Sequence, residues 1–148
     1  MAQHGRDKDV LDVCCGPGGY LFATQNTIRS GIGLDFNSRM IEIANERRAA
    51  LKADNLRFME GNAKAIGLPD CSVDVAYTFA TLYAFENADR VIQEMTRVLR
   101  PGGVAILEFG NLHRINTVIA RAYAEFAVPR CGAAWRRCLR SGRDFTAT

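Results

Sequence analysis

An α/β fold with a doubly wound, mostly parallel sheet is the expectation for the first 110 residues of this 148-residue chain. Two observations carry it. Five short apolar runs alternate with longer stretches of helical periodicity, and parallel neighbours need a crossover of about a dozen residues between strands. The first run also opens straight into a glycine-proline turn followed by a helix pattern, the strand–turn–helix unit on which such sheets bind ligands.

Taken in order, Val10, Leu11, Val13 and Cys14 form the first strand run, and Gly16-Pro17-Gly18-Gly19 turns the chain. Glycine there allows unusual backbone angles and close approach to the main chain. Tyr20 to Arg29 reads as a helix stopped near Ser30-Gly31. Gly31 to Asp35 is a short strand closing on an acid, and Ser38 caps a helix carrying Met40, Ile41, Ala44 and Leu51 on one face. Leu56 to Glu60 alternates as strand three, and residues 61–72 are rich in turn formers around Leu68-Pro69-Asp70. Val73 to Thr78 is strand four. Val91, Ile92, Met95, Val98 and Leu99 line one face of a helix from Asn87. Pro101-Gly102-Gly103 ends that helix before strand five, Val104 to Phe109.

Composition bounds the function. The hydrophobic fraction of 48% and charged fraction of 24% match ordinary globular proteins. There is no apolar leader and no run long enough to cross a bilayer, so the expected location is the cytoplasm. Five cysteines, with no paired spacing and no histidine at ligand distance, read as reduced thiols and no metal site. The net charge of +3 is uneven: residues 1–111 hold 12 basic against 14 acidic side chains, and residues 112–148 hold 7 against 2. Nucleic acid is not the expected partner of those seven arginines.

In an open parallel sheet, ligands bind beyond the carboxyl ends of the strands, where the strand order reverses. The glycine turn, Asp35, Asn62 and Phe79 each follow or end a strand, so four segments converge on that edge. A dinucleotide fingerprint, G-x-G-x-x-G, fails in both registers: Leu21 stands at its sixth position counted from Gly16, and Cys14 at its first in the other.

Four stretches in order, VLDVCCGPGG, GIGLDFNSRMIEIA, FMEGNAKAIGLPDCSVD and EMTRVLRPGGVAILEF, resemble the class I S-adenosylmethionine-dependent methyltransferases, whose core is Rossmann-like. The resemblance covers roughly residues 8–110. It implies that Gly16 and Gly18, with the backbone of Cys14 and Cys15, lie against the amino-acid end of S-adenosylmethionine. It implies that Asp12 orders the turn and reaches the cofactor's ammonium, and that Asp35 accepts from both ribose hydroxyls. Phe36 and Met40 would pack on the adenine, Asn62 and Ala63 would read its polar edge, and Phe79 would lie at the same edge. Within the class, the CCGPG turn and the LEF ending of strand five are similar to the ubiquinone/menaquinone C-methyltransferases, together with Arg121, Tyr123, Phe126, Val128 and Pro129 in the tail.

The expected function is therefore methyl transfer to a small-molecule acceptor. C-methylation of a quinone or other lipophilic precursor stands as the alternative, and a truncated, non-catalytic cofactor-binding or interaction module as another. No catalytic residue is assigned; Tyr83 and His113 are the polar groups nearest the acceptor side. Residues 112–128 carry Leu112, Ile115, Val118, Ile119, Ala122, Tyr123 and Phe126 at helical spacing. Residues 111–148 thus read as a basic helical tail, a substrate lid or the truncated end of the domain, with peripheral membrane contact through 112–128 left open. With no strand pattern after Phe109, the sheet is expected to lack the last two strands of the family. That would leave the edge of strand five free to pair with a second copy.

Overall fold

A computed structural model describes the backbone of residues 7–111 and 114–121 and the side chains of residues 7–108. The described strands form one sheet of six, in the order β3-β2-β1-β4-β5-β6. They are β1 (Asp9–Val13), β2 (Ser30–Asp35), β3 (Leu56–Glu60), β4 (Val73–Thr78), β5 (Leu99–Asn111) and β6 (Arg114–Arg121). The first five are parallel and β6 is antiparallel to β5. The doubly wound core expected from the alternation is present, and the strand order reverses between β1 and β4.

Two hydrophobic layers sandwich the sheet. On one face, α1 (Gly19–Thr24) and α2 (Ser38–Leu51) bury Leu21, Phe22, Ile41 and Ala44 against Val10, Leu56, Phe58 and Tyr77. On the other, α3 (Ala88–Val98) buries Val91, Met95 and Val98 against Leu11, Val13, Val73 and Ala76. The alternation of Val10, Leu11, Tyr77 and Ala76 between layers is the period-two geometry of a strand. It also separates the adjacent thiols: Cys14 packs against the α3 layer and Cys15 lies in the other.

Several boundaries differ from the expectation. α1 stops at Thr24 and tightens into a 3₁₀ turn, Gln25–Thr27. The amide of Asn55 captures the carbonyls of Gln25 (2.8 Å) and Ile28 (3.4 Å), which ends the helix early. The N-cap of α2 is Asn37 rather than Ser38, its side chain accepting from the Arg39 N–H at 3.0 Å. β5 begins at Leu99, so Pro101-Gly102-Gly103 sits inside it: Val73 pairs with Leu99 but Val75 with Val104, and the extra residues bulge out. A Cβ on Gly103 would lie 2.8 Å from the Arg100 carbonyl oxygen, which only glycine avoids.

The larger correction concerns the tail. Residues 114–121 are a strand, not part of a helix over 112–128, and they pair with β5 from Val104↔Arg121 to Asn111↔Arg114. Ile115, Thr117, Val118 and Ile119 are β-branched, a preference for strands that helical spacing alone overlooked. The sheet consequently gains one antiparallel strand where two were expected to be missing. The edge of β5, expected to be free for a second copy, is occupied by this chain's own β6. Residues 122–128 of the expected helix lie outside the described residues.

Candidate functional site

The site is built at the carboxyl ends of β1, β2 and β3, beside the reversal in strand order. β1 ends at Val13, and Cys14 (φ 63°), Gly16 (φ 53°) and Gly18 (φ 79°) then take left-handed angles before α1 begins. The Cys15 N–H donates to the Leu34 carbonyl at 3.0 Å and the Gly18 N–H to the Cys15 carbonyl at 3.0 Å, so the turn is tied to β2. The glycines serve different ends. A Cβ on Gly18 would meet the Phe58 ring at 2.5 Å, whereas one on Gly16 would meet nothing within 4 Å. Gly18 is demanded by internal packing; Gly16 presents open backbone to an incoming group.

Asp35 joins the turn to the start of α2. Its Oδ2 accepts the Gly16 N–H at 2.8 Å and its Oδ1 the Asn37 N–H at 3.0 Å. The side chain nevertheless lines a cavity of about 550 Å³ together with Cys14, Phe36, Asn62, Ala63 and Lys64. Phe36 is 77% exposed, a large apolar ring held at the mouth by no core contact of consequence. Asn62 accepts the Lys64 N–H on its Oδ1 at 2.8 Å, which turns the chain and leaves its amide NH₂ for the cavity. Ala63 is buried in the cavity wall.

Beneath the turn, Asp12 is 2% exposed and its Oδ2 has no hydrogen-bond partner among the described residues. The Tyr77 hydroxyl is likewise buried and unpartnered. Burial pushes the Asp12 carboxyl up to about 7; the facing Tyr77 hydroxyl opposes that rise and the Asp35 carboxylate adds to it. Burial also raises the Cys14 thiol to about 11, so neither it nor the still higher Cys15 is a thiolate at neutral pH.

Of the sequence-predicted residues, Cys14, Asp35, Phe36, Asn62 and Ala63 share this cavity, with Gly16 bonded to its rim. Asp12, Cys15 and Gly18 lie behind it as supports. Met40 is half-buried on α2 and does not line the cavity. Phe79 is not brought there. It packs on Tyr20 and Tyr77, with ring centroids at 4.7 and 5.1 Å, in a separate groove on the α1–α2 face. The reason is parity: Tyr77 and Phe79 are two apart on one strand path and point to the same face.

Sequence reasoning missed Glu60, Lys64 and Phe85, which complete the wall. Lys64 stands over the Phe85 ring at 5.7 Å. Their only signal was position, Glu60 at a strand end and Lys64 two residues past Asn62. It also missed the clamp that holds the 61–70 loop. Arg97 donates to the carbonyls of Leu68 (2.9 Å) and Ile66 (2.6 Å) and pairs with Asp70 (2.7 Å) and Glu94 (2.8 Å). Glu94, 5% exposed, accepts the Ile66 N–H at 2.9 Å, and Arg90 holds the Lys64 carbonyl at 3.1 Å. On the acceptor side, the Thr78 and Thr81 hydroxyls lie 2.6 Å apart and Glu108 accepts the Ala80 N–H at 3.0 Å. Tyr83 is 69% exposed, and His113 lies outside the described residues.

With this geometry in view, the chain can be compared with known proteins. Residues 4–132 match a family model described as a methyltransferase domain. The chain is 38% identical over 97 residues to a demethylmenaquinone methyltransferase of Shouchella clausii, covering 64% of this chain and 41% of that protein. A demethylmenaquinone methyltransferase of Lactococcus lactis is 37% identical over 97 residues, covering 64% and 38%. Among solved structures, the YcgJ protein of Bacillus subtilis superposes with a TM-score of 0.68 at 27% identity, covering 72% of this chain and 46% of that one. The chain thus spans about two fifths of the length of the curated relatives it matches.

Proposed function

This chain belongs to the methyltransferase domain family, and from that premise we propose that it binds S-adenosylmethionine at the β1–β2–β3 edge and passes the methyl group to a small-molecule acceptor. The observation that carries the reading is the Asp35 carboxylate, which holds the Gly16 N–H at the rim of a cavity of about 550 Å³. The residues present fit that cofactor. A carboxylate at the rim suits a diol, because it accepts two hydrogen bonds at once. The exposed Phe36 ring and the Asn62 amide suit an aromatic base with a polar edge. The orphaned Oδ2 of Asp12 suits a cationic group brought to the turn, since a buried unpaired carboxylate is costly.

The bound cofactor would supply an activated methyl on a sulfonium. What the protein must then do is hold and orient. Asp35 and Asn62 would fix the nucleoside, the turn and Asp12 the amino-acid end, and the Arg97–Glu94 clamp would keep the 61–70 loop in register with both. Positioning of this kind is the largest contribution that side chains can make when the leaving group is already activated. No general base is assigned.

The acceptor class has a second reading, C-methylation of a quinone-like precursor, favoured by the curated relatives, which are named as demethylmenaquinone methyltransferases. After β4 this chain reads Phe79-Ala80-Thr81-Leu82-Tyr83-Ala84-Phe85, with Tyr83 and Phe85 offering apolar rings on that side. We take residues 1–110 as the cofactor-binding unit, with β6 extending the same sheet. No helix among the described residues is long and apolar enough to cross a membrane.

Calorimetric titration with S-adenosylmethionine tests the reading. Asp35→Ala should weaken binding by about 10- to 100-fold, since a hydrogen bond to a charged group contributes about 1.5–3 kcal/mol. Binding left intact by that substitution would sink the assignment of the site.

A further inference from the structure

Asp12 of β1 and Tyr77 of β4 are register partners on the two central strands of the sheet. Neighbouring strands lie about 4.8 Å apart, and partners of this kind put their side chains on one face. Both residues are buried, Asp12 2% and Tyr77 7% exposed. Each carries an oxygen without a hydrogen-bond partner, Oδ2 of the acid and the hydroxyl of the phenol. Two such oxygens at adjacent positions call for an account, because buried polar atoms are nearly always bonded in folded proteins.

The chemistry of the pair is complementary. A phenol hydroxyl donates, and an ionised carboxylate only accepts. Burial, followed by the Asp12 charge, raises the Tyr77 hydroxyl above its ordinary value, so it stays a donor. It lies near enough to Asp12 to oppose the larger rise that burial imposes on the carboxyl, yet it is not aligned for a hydrogen bond. The other titratable groups around Asp12 are Asp35 at the end of β2 and the Cys14 and Cys15 thiols of the turn. None of them is a cation. Among the described residues, Tyr77 is the group beside Asp12 that favours its charged form.

The ring that carries this hydroxyl has little freedom. Phe79 stacks on it with centroids 5.1 Å apart and planes at 30°, and Tyr20 meets it edge-on at 6.4 Å and 78°. Phe79, which the cavity does not use, thereby fixes the aim of the Tyr77 hydroxyl. A donor held in place in advance loses little freedom when its acceptor becomes charged.

We propose that Tyr77 is a positioning residue for cofactor capture, its hydroxyl donating to the Asp12 carboxylate while that carboxylate holds the cationic end of S-adenosylmethionine. The proposal rests on the cofactor reading given above. A carboxylate has room to accept from both groups at once. Asp12 gives up its proton to solvent as it meets the positive charge, and the Tyr77 bond then fixes the carboxylate against the turn. Without the hydroxyl, Asp12 ionises at a higher pH and its carboxylate is held less well.

Tyr77→Phe keeps the ring and its stacking and deletes one unpartnered hydroxyl, so far-ultraviolet dichroism and the urea midpoint should stay close to those of the unmodified chain. Calorimetric titration with S-adenosylmethionine on both sides of pH 7, where Asp12 ionises, supplies the test. At pH 7 the variant should bind about 3- to 10-fold more weakly, the worth of one hydrogen bond. Its affinity should also climb at a higher pH than that of the unmodified chain. The ligand's own titration is common to both chains and cancels in their ratio. In an Asp12→Ala background the same substitution should change affinity by less than about twofold, because the partner is gone. Equal affinity and an unchanged pH profile in Tyr77→Phe would overturn the proposal and leave the cofactor reading standing. An undiminished loss in the Asp12→Ala background would overturn it too, by assigning the effect to ring packing. No binding by the folded, unmodified chain would overturn the cofactor reading itself and this proposal with it.

Discussion

At the scale of single residues, the two aspartates at the turn do opposite things with charge. Asp35, itself buried, gives its carboxylate to two backbone amides and still lines the cavity. Asp12 is buried and holds its proton up to about pH 7, where an unfolded chain would have lost it near 4. The folded state therefore binds the extra proton between about pH 4 and 7, and stability falls as pH rises through that window. The full penalty, about 4 kcal/mol by the size of the shift, applies above pH 7. Asp12→Asn should flatten this slope and stabilise the empty chain at pH 8, as read by urea denaturation at several pH values. The same substitution should cost cofactor affinity, and the unmodified chain should bind S-adenosylmethionine more tightly at pH 8 than at pH 6, because the cationic end favours ionised Asp12. Gly18 offers a contrast with Gly16. Gly18→Ala forces a Cβ into the Phe58 ring and a side chain into a left-handed angle, so a loss of about 1–3 kcal/mol in thermal or urea stability is expected.

At the scale of elements, α3 matters to the site without touching it. Its apolar face seats it on the sheet, and its polar face, through Arg90, Glu94 and Arg97, grips the 61–70 loop by backbone carbonyls and amides. Glu94 is nearly buried and bonded to Arg97, so losing its charge costs about 1.5–3 kcal/mol, the worth of a hydrogen bond to a charged group, while Arg97 keeps Asp70. The Arg97 guanidinium, followed in the other direction by burial, holds the Glu94 carboxyl below its ordinary value. That contribution is complete above the unfolded carboxyl value and is lost as pH falls through the depressed one. Glu94→Gln should lower stability at pH 7 and shrink the difference between pH 7 and acid, checked by urea midpoints. It should also weaken cofactor binding, since Asn62 and Ala63 ride on the loop. β6 teaches a separate lesson about elements. Residues 114–121 satisfy helical spacing and strand propensity at once, and the unpaired edge of β5 settled the choice by offering eight residues a full ladder of hydrogen bonds.

At the scale of the whole molecule, the chain is a nearly complete two-faced sandwich with one apolar strip uncovered among its described residues. An acidic body and a basic tail divide the net charge of +3 between them.

The sequence by itself determined the strand and helix order, the parallel core, the glycine turn and the acid at the end of β2. Each of these is written in local periodicity, or in residues whose backbone angles few others can adopt. Topology, which brings strand ends together, also put the glycine turn, Asp35 and Asn62 at one edge, and the family resemblance added Phe36 and Ala63. Only the tertiary structure decided which side of the sheet each residue faces and what it meets there. Phe79 went to the far groove by strand parity, Gly18 proved to be demanded by Phe58 rather than by a ligand, and Glu94 and Arg97 reached a loop 24 or more residues away. Contacts between residues so distant along the chain leave no mark in its periodicity. They exist once packing has chosen a face and a register.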